Sequence, residues 1–348
     1  MFRLDPQRTN RSPFRAPRAP VATIRVKLGG PIAAAPIMID DAVIVASLSG
    51  EVVALDRAGK RRWERQLGGR VYGSPMKRGE LIVLGVDGGE VVALDAKSGK
   101  VRLREKVEGD VDTGAAPLAD GGFVLSAGHA TIAFEPSGKV RWRHKSKRKR
   151  YGAPALTRGG LIVFGGQDDA LVAVDARGHE RWSIDLGADV DCAPAIGDDD
   201  TVFVGTDGAE VLAIDADTGR IKRRMSVPGS VRGALSVGRD GAVLVGTLGP
   251  VPTVLALDLA SGRELWRHAV RGTGSKEQGV VGAPLEAADG ALVFGSQGNE
   301  VIALDPDGAR LWSFDAGADV DLPVVLIADG TLVVGTEAGE VIVLTDPE

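Results

Sequence analysis

The chain has 348 residues, of which 44% are hydrophobic and 48 are glycine, and its net charge at pH 7 is −5. A chain of this length could form two ordinary domains. Its single cysteine, Cys192, excludes an intramolecular disulfide and a cysteine-rich zinc site. No apolar run is long enough to span a bilayer.

The N-terminal residues 1–20 carry five Arg and one Asp and lack any apolar period. This composition predicts a disordered basic arm over residues 1–21, either an untethered tail or a tether for an anionic partner. The arm lacks the apolar centre of a secretory signal and a lipid-acceptor cysteine. As written, the sequence predicts a soluble cytoplasmic protein, or a periplasmic or cell-envelope protein if a signal has been removed.

One pattern recurs through residues 22–348. Apolar residues alternate up to an acidic position, a short polar turn follows, and a Gly closes the turn, as in Glu210–Gly219. This position is acidic in seven copies and is Thr345 in a truncated last copy. The seven acids are Asp56, Asp95, Glu135, Asp175, Asp215, Asp258 and Asp305. Eight copies of a unit of about 40 residues, made of short strands, are typical of a β-propeller.

Each copy contains four strands, lettered A to D, so we predict an all-β, eight-bladed propeller of four-stranded antiparallel blades over residues 22–348. The last copy has no D strand, and the strand at 22–28 precedes the first copy. We therefore predict that 22–28 pairs with 340–345 and closes the ring. Strand A carries a proline in seven copies, which places it at an edge facing a central channel. These prolines are Pro36, Pro75, Pro117, Pro154, Pro194, Pro284 and Pro323.

All five tryptophans occupy one repeated position on strand D. A large ring that recurs once per unit on the outer strand predicts packing between adjacent blades. The five are Trp63, Trp142, Trp182, Trp266 and Trp312, and the second and fifth copies have Leu103 and Arg223 there.

The pattern Ala-x-Asp-x-x-Ser/Thr-Gly-x-x-x-Trp, complete in Ala256–Trp266, resembles the tryptophan-docking motif of quinoprotein-type propellers. The resemblance covers residues 22–348 and is to the PQQ-like repeat family. That family includes quinoprotein alcohol dehydrogenases and the propeller lipoprotein of the outer-membrane barrel-assembly machinery. The enzyme branch implies PQQ, Ca²⁺, a disulfide between adjacent cysteines and a catalytic Asp, while the lipoprotein branch implies an exported, lipid-anchored scaffold. The chain has no cysteine pair and no Trp outside the docking positions, so no cofactor is expected.

The connections from strand D to the next strand A are predicted to rim the channel, on the same face as the B–C turns. Three of them contain Asp-Val-Asp, at 110–112, 189–191 and 319–321. Carboxylates that converge on a pore could hold a hard cation or meet a basic peptide. Solvated loop acids copied with the repeat are the simpler interpretation.

Residues 141–150 carry seven Lys or Arg and no acid. The run predicts weak anion binding, together with the N-terminal arm, or else a solvated face. Arg232, Arg271 and Lys276 add cations on the same side.

No Ser-His-Asp order, P-loop glycine motif or His-x-x-x-His pair occurs, so an enzyme is not expected. The predicted function is a non-catalytic protein-interaction scaffold, a monomeric propeller inside a hetero-complex that binds through the D–A/B–C face. One alternative is a small-molecule or quinone-cofactor-binding propeller, possibly a vestigial quinoprotein, that uses the channel mouth. The other is non-specific binding to nucleic acid or anionic membrane, which steep salt dependence would reveal. The predicted partner-binding residues are Lys145, Lys147, Arg148, Lys149, Arg150, Tyr151, Tyr72, Asp112, Asp191, Arg232 and Asp321.

Overall fold

The structure, a computed structural model, describes residues 5–233, 235–272, 274–275, 278–321 and 324–347. Two residues singled out in the sequence, Lys276 and Pro323, lie outside these ranges. Within them, 32 strands form eight four-stranded antiparallel sheets, each in the order A-B-C-D. The predicted eight-bladed, all-β propeller is confirmed.

The first strand, β1 (Val21–Lys27), belongs to the last blade. Blade 1 contains β2 (Ile37–Ile39), β3 (Ala42–Ala46), β4 (Glu51–Leu55) and β5 (Arg61–Gln66), and blade 2 contains β6 (Met76–Arg78), β7 (Leu81–Val86), β8 (Glu90–Asp95) and β9 (Val101–Lys106). Blade 3 contains β10 (Ala116–Pro117), β11 (Phe123–Ala127), β12 (Ala130–Phe134) and β13 (Val140–Lys145), and blade 4 contains β14 (Ala155–Leu156), β15 (Ile162–Gly165), β16 (Ala170–Val174) and β17 (Glu180–Asp185). Blade 5 contains β18 (Ala195–Ile196), β19 (Val202–Thr206), β20 (Glu210–Ile214) and β21 (Ile221–Ser226), and blade 6 contains β22 (Leu235–Val237), β23 (Ala242–Gly246), β24 (Thr253–Asp258) and β25 (Glu264–Ala269). Blade 7 contains β26 (Leu285–Glu286), β27 (Leu292–Gly295), β28 (Glu300–Leu304) and β29 (Arg310–Asp315), and blade 8 contains β30 (Val325–Ala328), β31 (Thr331–Gly335), β32 (Glu340–Thr345) and β1.

The ring closes where the sequence predicts. Strand β1 pairs antiparallel with β32, from Val21 opposite Thr345 to Lys27 opposite Glu340. The strand begins and ends one residue before the predicted 22–28. The N-terminal strand therefore supplies the missing D strand of blade 8, which covers the outer edge of β32.

The hydrophobic core consists of eight clusters, and each cluster lies between two neighbouring blades. The cluster that joins the last blade to the first contains Val333 and Val341 from blade 8 with Val45 and Val53 from blade 1. Strands B and C are buried on both faces because each blade packs against one neighbour on either side. This explains their continuous apolar runs.

The tryptophans pack between blades, as predicted. The indole of Trp63 donates a 2.9 Å hydrogen bond to the carbonyl of Ala96 in the next blade, and Trp182 makes the equivalent 2.7 Å bond to Ala216. A Cβ at Gly219 would lie 2.7 Å from the Trp182 ring, and the φ of this glycine is +69°. Glycine is therefore needed there both for the turn and for the close approach of the ring.

The prediction of a disordered arm over residues 1–21 is wrong for residues 5–20. This segment crosses the face formed by the A–B turns, and Arg8, Thr9, Asn10, Ser12 and Ala16 are buried. The segment is ordered without an apolar period because its backbone bonds to amides at the free edges of the A strands, which a composition argument cannot detect.

None of the described residues lies in a helix long and apolar enough to cross a membrane.

Candidate functional site

The channel opens on the face of the D–A segments and the B–C turns, and we call this opening the channel mouth. Each D–A segment is tied to the B–C turn of the blade that follows. The amide of Asp87 donates to the carbonyl of Arg70 (2.9 Å), and the amide of Asp207 donates to that of Asp189 (3.1 Å). Two residues after this tie, the segment reaches the cavity in the channel.

The structure brings six of the predicted residues into one ring around this cavity. The eight repeat positions, from blade 1 to blade 8, are Ala33, Tyr72, Asp112, Tyr151, Asp191, Arg232, Val281 and Asp321. Sequence reasoning missed Ala33 and Val281, and also Arg70 and Asp87, which line the outer part of the cavity. The fixed offset of Ala33, Arg70 and Val281 from the following A strand was the signal that could have identified these three residues.

The cavity has an outer part of about 490 Å³ and an inner part of about 140 Å³. Tyr72, Asp112, Tyr151 and Val281 line both parts. Sites of several hundred Å³ suit a small molecule or one or two side chains of a partner protein.

Two tyrosines of the ring lie close to a cation. The Arg70 guanidinium is 5.7 Å from the centre of the Tyr72 ring, and the Lys149 ammonium is 5.8 Å from the centre of the Tyr151 ring. The Tyr151 side chain is 40% exposed. Each pair presents an aromatic surface with an adjacent positive charge, a combination common at protein interfaces.

The carboxyl groups of the ring are hard to ionise. Burial raises the pKa of Asp112 to about 6, and the neighbouring acids Asp87 and Asp110 add to the rise. Burial likewise raises the pKa of Asp191 to about 6, although the Gln167 amide, which donates to this carboxylate at 3.2 Å, opposes the rise. The pKa of Asp321 is raised in the same direction, again through burial. The mouth therefore gains negative charge as pH rises through about 6.

Among the described residues, one group of three acids has carboxylate oxygens close enough to share a cation: Asp189, Asp191 and Asp207 offer oxygens within 4.8 Å of one another. The guanidinium of Arg232 already lies 2.8 Å from Asp207 and supplies positive charge at this cluster. The spacing of these three carboxylates would allow a hard cation to bind, and it is the one observation on the described residues that favours this alternative.

The basic run divides into an exposed and a buried part. Lys145, Lys147, Arg148 and Lys149 are exposed, and Lys149 reaches the channel mouth beside Tyr151. The prediction that Arg150 binds a partner is wrong, because Arg150 is 3% exposed. Its guanidinium donates to the carbonyl of Gly165 (3.2 Å) and lies 4.9 Å from the centre of the Phe164 ring.

The raised pKa values give a stability prediction. The native-state pKa of Asp112, about 6, lies above the unfolded value near 4, so the native state binds more protons between these two pH values. The contribution of Asp112 to the free energy of unfolding is therefore fully present below about pH 4 and is lost as pH rises through 6. At pH 7, Asp112→Asn should raise the free energy of unfolding by about 1 kcal/mol, after allowance for partial exposure.

Urea denaturation at pH 4 and pH 7 tests this prediction. We expect the gain at pH 7 and little difference from the wild type at pH 4, with the same result for Asp191→Asn. A variant that is no more stable than the wild type at pH 7 would contradict the assignment of raised pKa values.

The quinone cofactor implied by the resemblance does not fit this mouth. PQQ is a polycarboxylate, and the two arginines that could receive it are already paired, Arg70 with Asp87 (2.9 Å) and Arg232 with Asp207 (2.8 Å). Asp112 also lines the cavity and would repel an anion above pH 6. We derive no chemical step through this group.

A family model described as "Outer membrane protein assembly factor BamB" matches residues 22–136, 126–222 and 167–312. Among curated proteins, the serine/threonine-protein kinase AfsK of Streptomyces griseus is 30% identical over 224 residues, which are 58% of this chain and 26% of the kinase. The chain thus covers about a quarter of that relative.

Solved structures share the fold. BamB from Moraxella catarrhalis aligns with a TM-score of 0.77 at 20% identity, covering 94% of this chain and 97% of that one. A europium-containing methanol dehydrogenase aligns with a TM-score of 0.84 at 12% identity, covering 98% and 96%. The computationally designed protein Ika8 aligns at 0.76 and 17% identity, covering 95% and 99%. At these identities the likeness shows the fold alone. The family model, however, matches well over half of the residues, and the chain belongs to the family of the outer membrane protein assembly factor BamB.

Proposed function

We propose that the protein is a non-catalytic interaction scaffold within a larger assembly and that it binds a protein partner through the channel mouth. Family membership supports the general part of this proposal, since the family is described by an assembly factor. A fold shared with dehydrogenases does not by itself carry their activity. From the same relationship we propose a location in the cell envelope or the periplasm.

The observation that carries the proposal is the combination of an exposed aromatic ring with charges of both signs around an open cavity. Tyr151 is 40% exposed and lies beside Lys149, while Asp112 and Asp191 line the cavity. Aromatic anchors with cavities beside them dominate binding energy at protein interfaces. Opposite charges on one rim orient the partner and raise the association rate.

The test is a pull-down from source lysate in moderate salt with nuclease present. The variant Lys147→Glu/Arg148→Glu/Lys149→Glu reverses three exposed cations of the basic run and leaves the buried Arg150 intact. We expect a stoichiometric protein partner with the wild type and its loss with this variant. A second variant, Tyr151→Ala, should weaken capture at least tenfold, because truncating a central aromatic anchor typically costs about 2 kcal/mol.

A matched control reverses three exposed cations at C–D turns on the opposite face, Arg57→Glu/Lys60→Glu/Arg177→Glu. This control should capture the partner like the wild type. If both triple variants lose the partner equally, net charge and not the channel mouth determines binding. If the partner survives in every variant, binding occurs elsewhere on the propeller.

The alternative of a small-molecule site rests on the cavity of about 490 Å³. Its carboxylates and tyrosines suit an organic cation better than an anionic quinone. Native mass spectrometry of the purified protein separates the two proposals, because a bound small molecule would add a fixed mass in the absence of any protein partner.

A further inference from the structure

The N-terminal segment 5–19 lies on the face opposite the channel mouth and crosses the ends of the A strands there. Its carbonyl groups accept hydrogen bonds from the A strands of four consecutive blades. Pro6 accepts from the amide of Leu156 (3.1 Å) and Gln7 from that of Ile196 (2.9 Å). Thr9 accepts from Val237 (3.3 Å), and Asn10 accepts from Glu286 (3.1 Å). We call the surface formed by these four A-strand ends the arm groove.

The side chains of Arg8 and Asn10 reach across the channel base to opposite walls. Arg8 Nε donates to the carbonyl of Pro154 at 2.7 Å, on blade 4. Asn10 Nδ2 donates to the carbonyls of Ala283 and Pro284, both at 3.0 Å, on blade 7. Ala283 also lines the inner cavity, so the arm contacts a residue of the cavity wall from the opposite face.

Arg8 holds an unfavourable backbone conformation in the arm. Arg8 has φ +59°, in the left-handed region that non-glycine residues rarely adopt, and Asn10 has φ +60°, a conformation that Asn adopts more readily than most residues. Arg8 is only 2% exposed, and burying a guanidinium is unfavourable unless its donors are bonded. Such a conformation persists where specific contacts over-determine it. The groove therefore recognises the identity of these residues and not only an extended backbone.

The C-terminal end of the arm is anchored separately. Trp312 Nε1 donates to the carbonyl of Pro17 at 2.7 Å, and the amides of Arg18 and Ala19 each donate to Asp346 at 2.7 Å. The segment 5–12 can thus leave the groove while the ring stays closed by β1.

We propose that the arm groove is a peptide-binding site for an extended segment with arginine and asparagine two residues apart, occupied in cis by the chain's own arm. The site lies on the opposite face and does not depend on the function proposed for that mouth.

The test uses the full-length chain with Arg8→Ala/Asn10→Ala, which disables the arm in cis. Hydrogen exchange should become at least tenfold faster at the amides of Leu156, Ile196, Val237 and Glu286, which donate to the arm. A labelled synthetic peptide of residues 5–19 should then bind this variant at least tenfold more tightly than the wild type, whose tethered arm competes at a high effective concentration. A peptide with Arg8→Ala should not bind.

The control, Arg15→Ala/Arg18→Ala, changes two exposed arginines of the same arm, and it should behave like the wild type in both measurements. Unchanged exchange at the four amides in the Arg8→Ala/Asn10→Ala variant would overturn the proposal. Failure of the wild-type peptide to bind that variant would also overturn it.

Discussion

Replacing Trp182 by Ala should lower the free energy of unfolding by about 3–5 kcal/mol, the range for a large side chain removed from a core. The Trp182 ring is 8% exposed and belongs to the cluster between blades 4 and 5. It packs against Gly219 and donates to Ala216, both in the next blade. The substitution would remove this bond and leave a cavity at the interface of the two blades.

Urea denaturation measures this loss, with Arg181→Ala as the matched control. Arg181 is the preceding residue of the same strand and is exposed, so its replacement should change stability by less than about 0.5 kcal/mol. Equal effects for the two variants would show that the tryptophan does not hold the blades together.

Replacing Arg150 by Ala should lower the free energy of unfolding by about 2–4 kcal/mol. The change would leave the buried carbonyl of Gly165 without this donor and remove the cation from the Phe164 ring. It would also remove the positive charge that lies near Asp168. Arg150→Lys should recover only part of the loss, because an ammonium cannot stack on the ring as a planar guanidinium does.

The matched control is Arg148→Ala, two residues earlier in the same run and exposed. It should be as stable as the wild type, and thermal melts of the three variants suffice for the comparison. If Arg150→Ala melts like Arg148→Ala, Arg150 would return to the set of surface residues available to a partner. Pull-down experiments on the basic run should keep Arg150 unchanged, because its loss would mimic a binding defect through unfolding.

The sequence predicted the position of the channel mouth through the repeat. Because a propeller copies one unit, a residue's offset within the unit determines its depth and face in the ring. Tyr72, Asp112, Tyr151 and Asp191 share such an offset and line one cavity. Their protonation was not predictable, because it depends on burial and on acids such as Asp87 that another loop places beside Asp112.

The sequence by itself determined the number of blades, the tryptophan contacts and the closing strand, because strand pairing and docking repeat with a period that can be counted. Only the tertiary structure showed that the N-terminal arm is ordered over residues 5–20 and that Arg150 is buried. Both depend on partners that no local pattern shows. Arg8 bonds to Pro154, a residue 146 positions away, and Arg150 is covered by Gly165 and Phe164 of the next blade. Charge and proline content predict a solvated segment unless distant backbone groups are free to bind it, and the inner edges of the A strands supply those groups here.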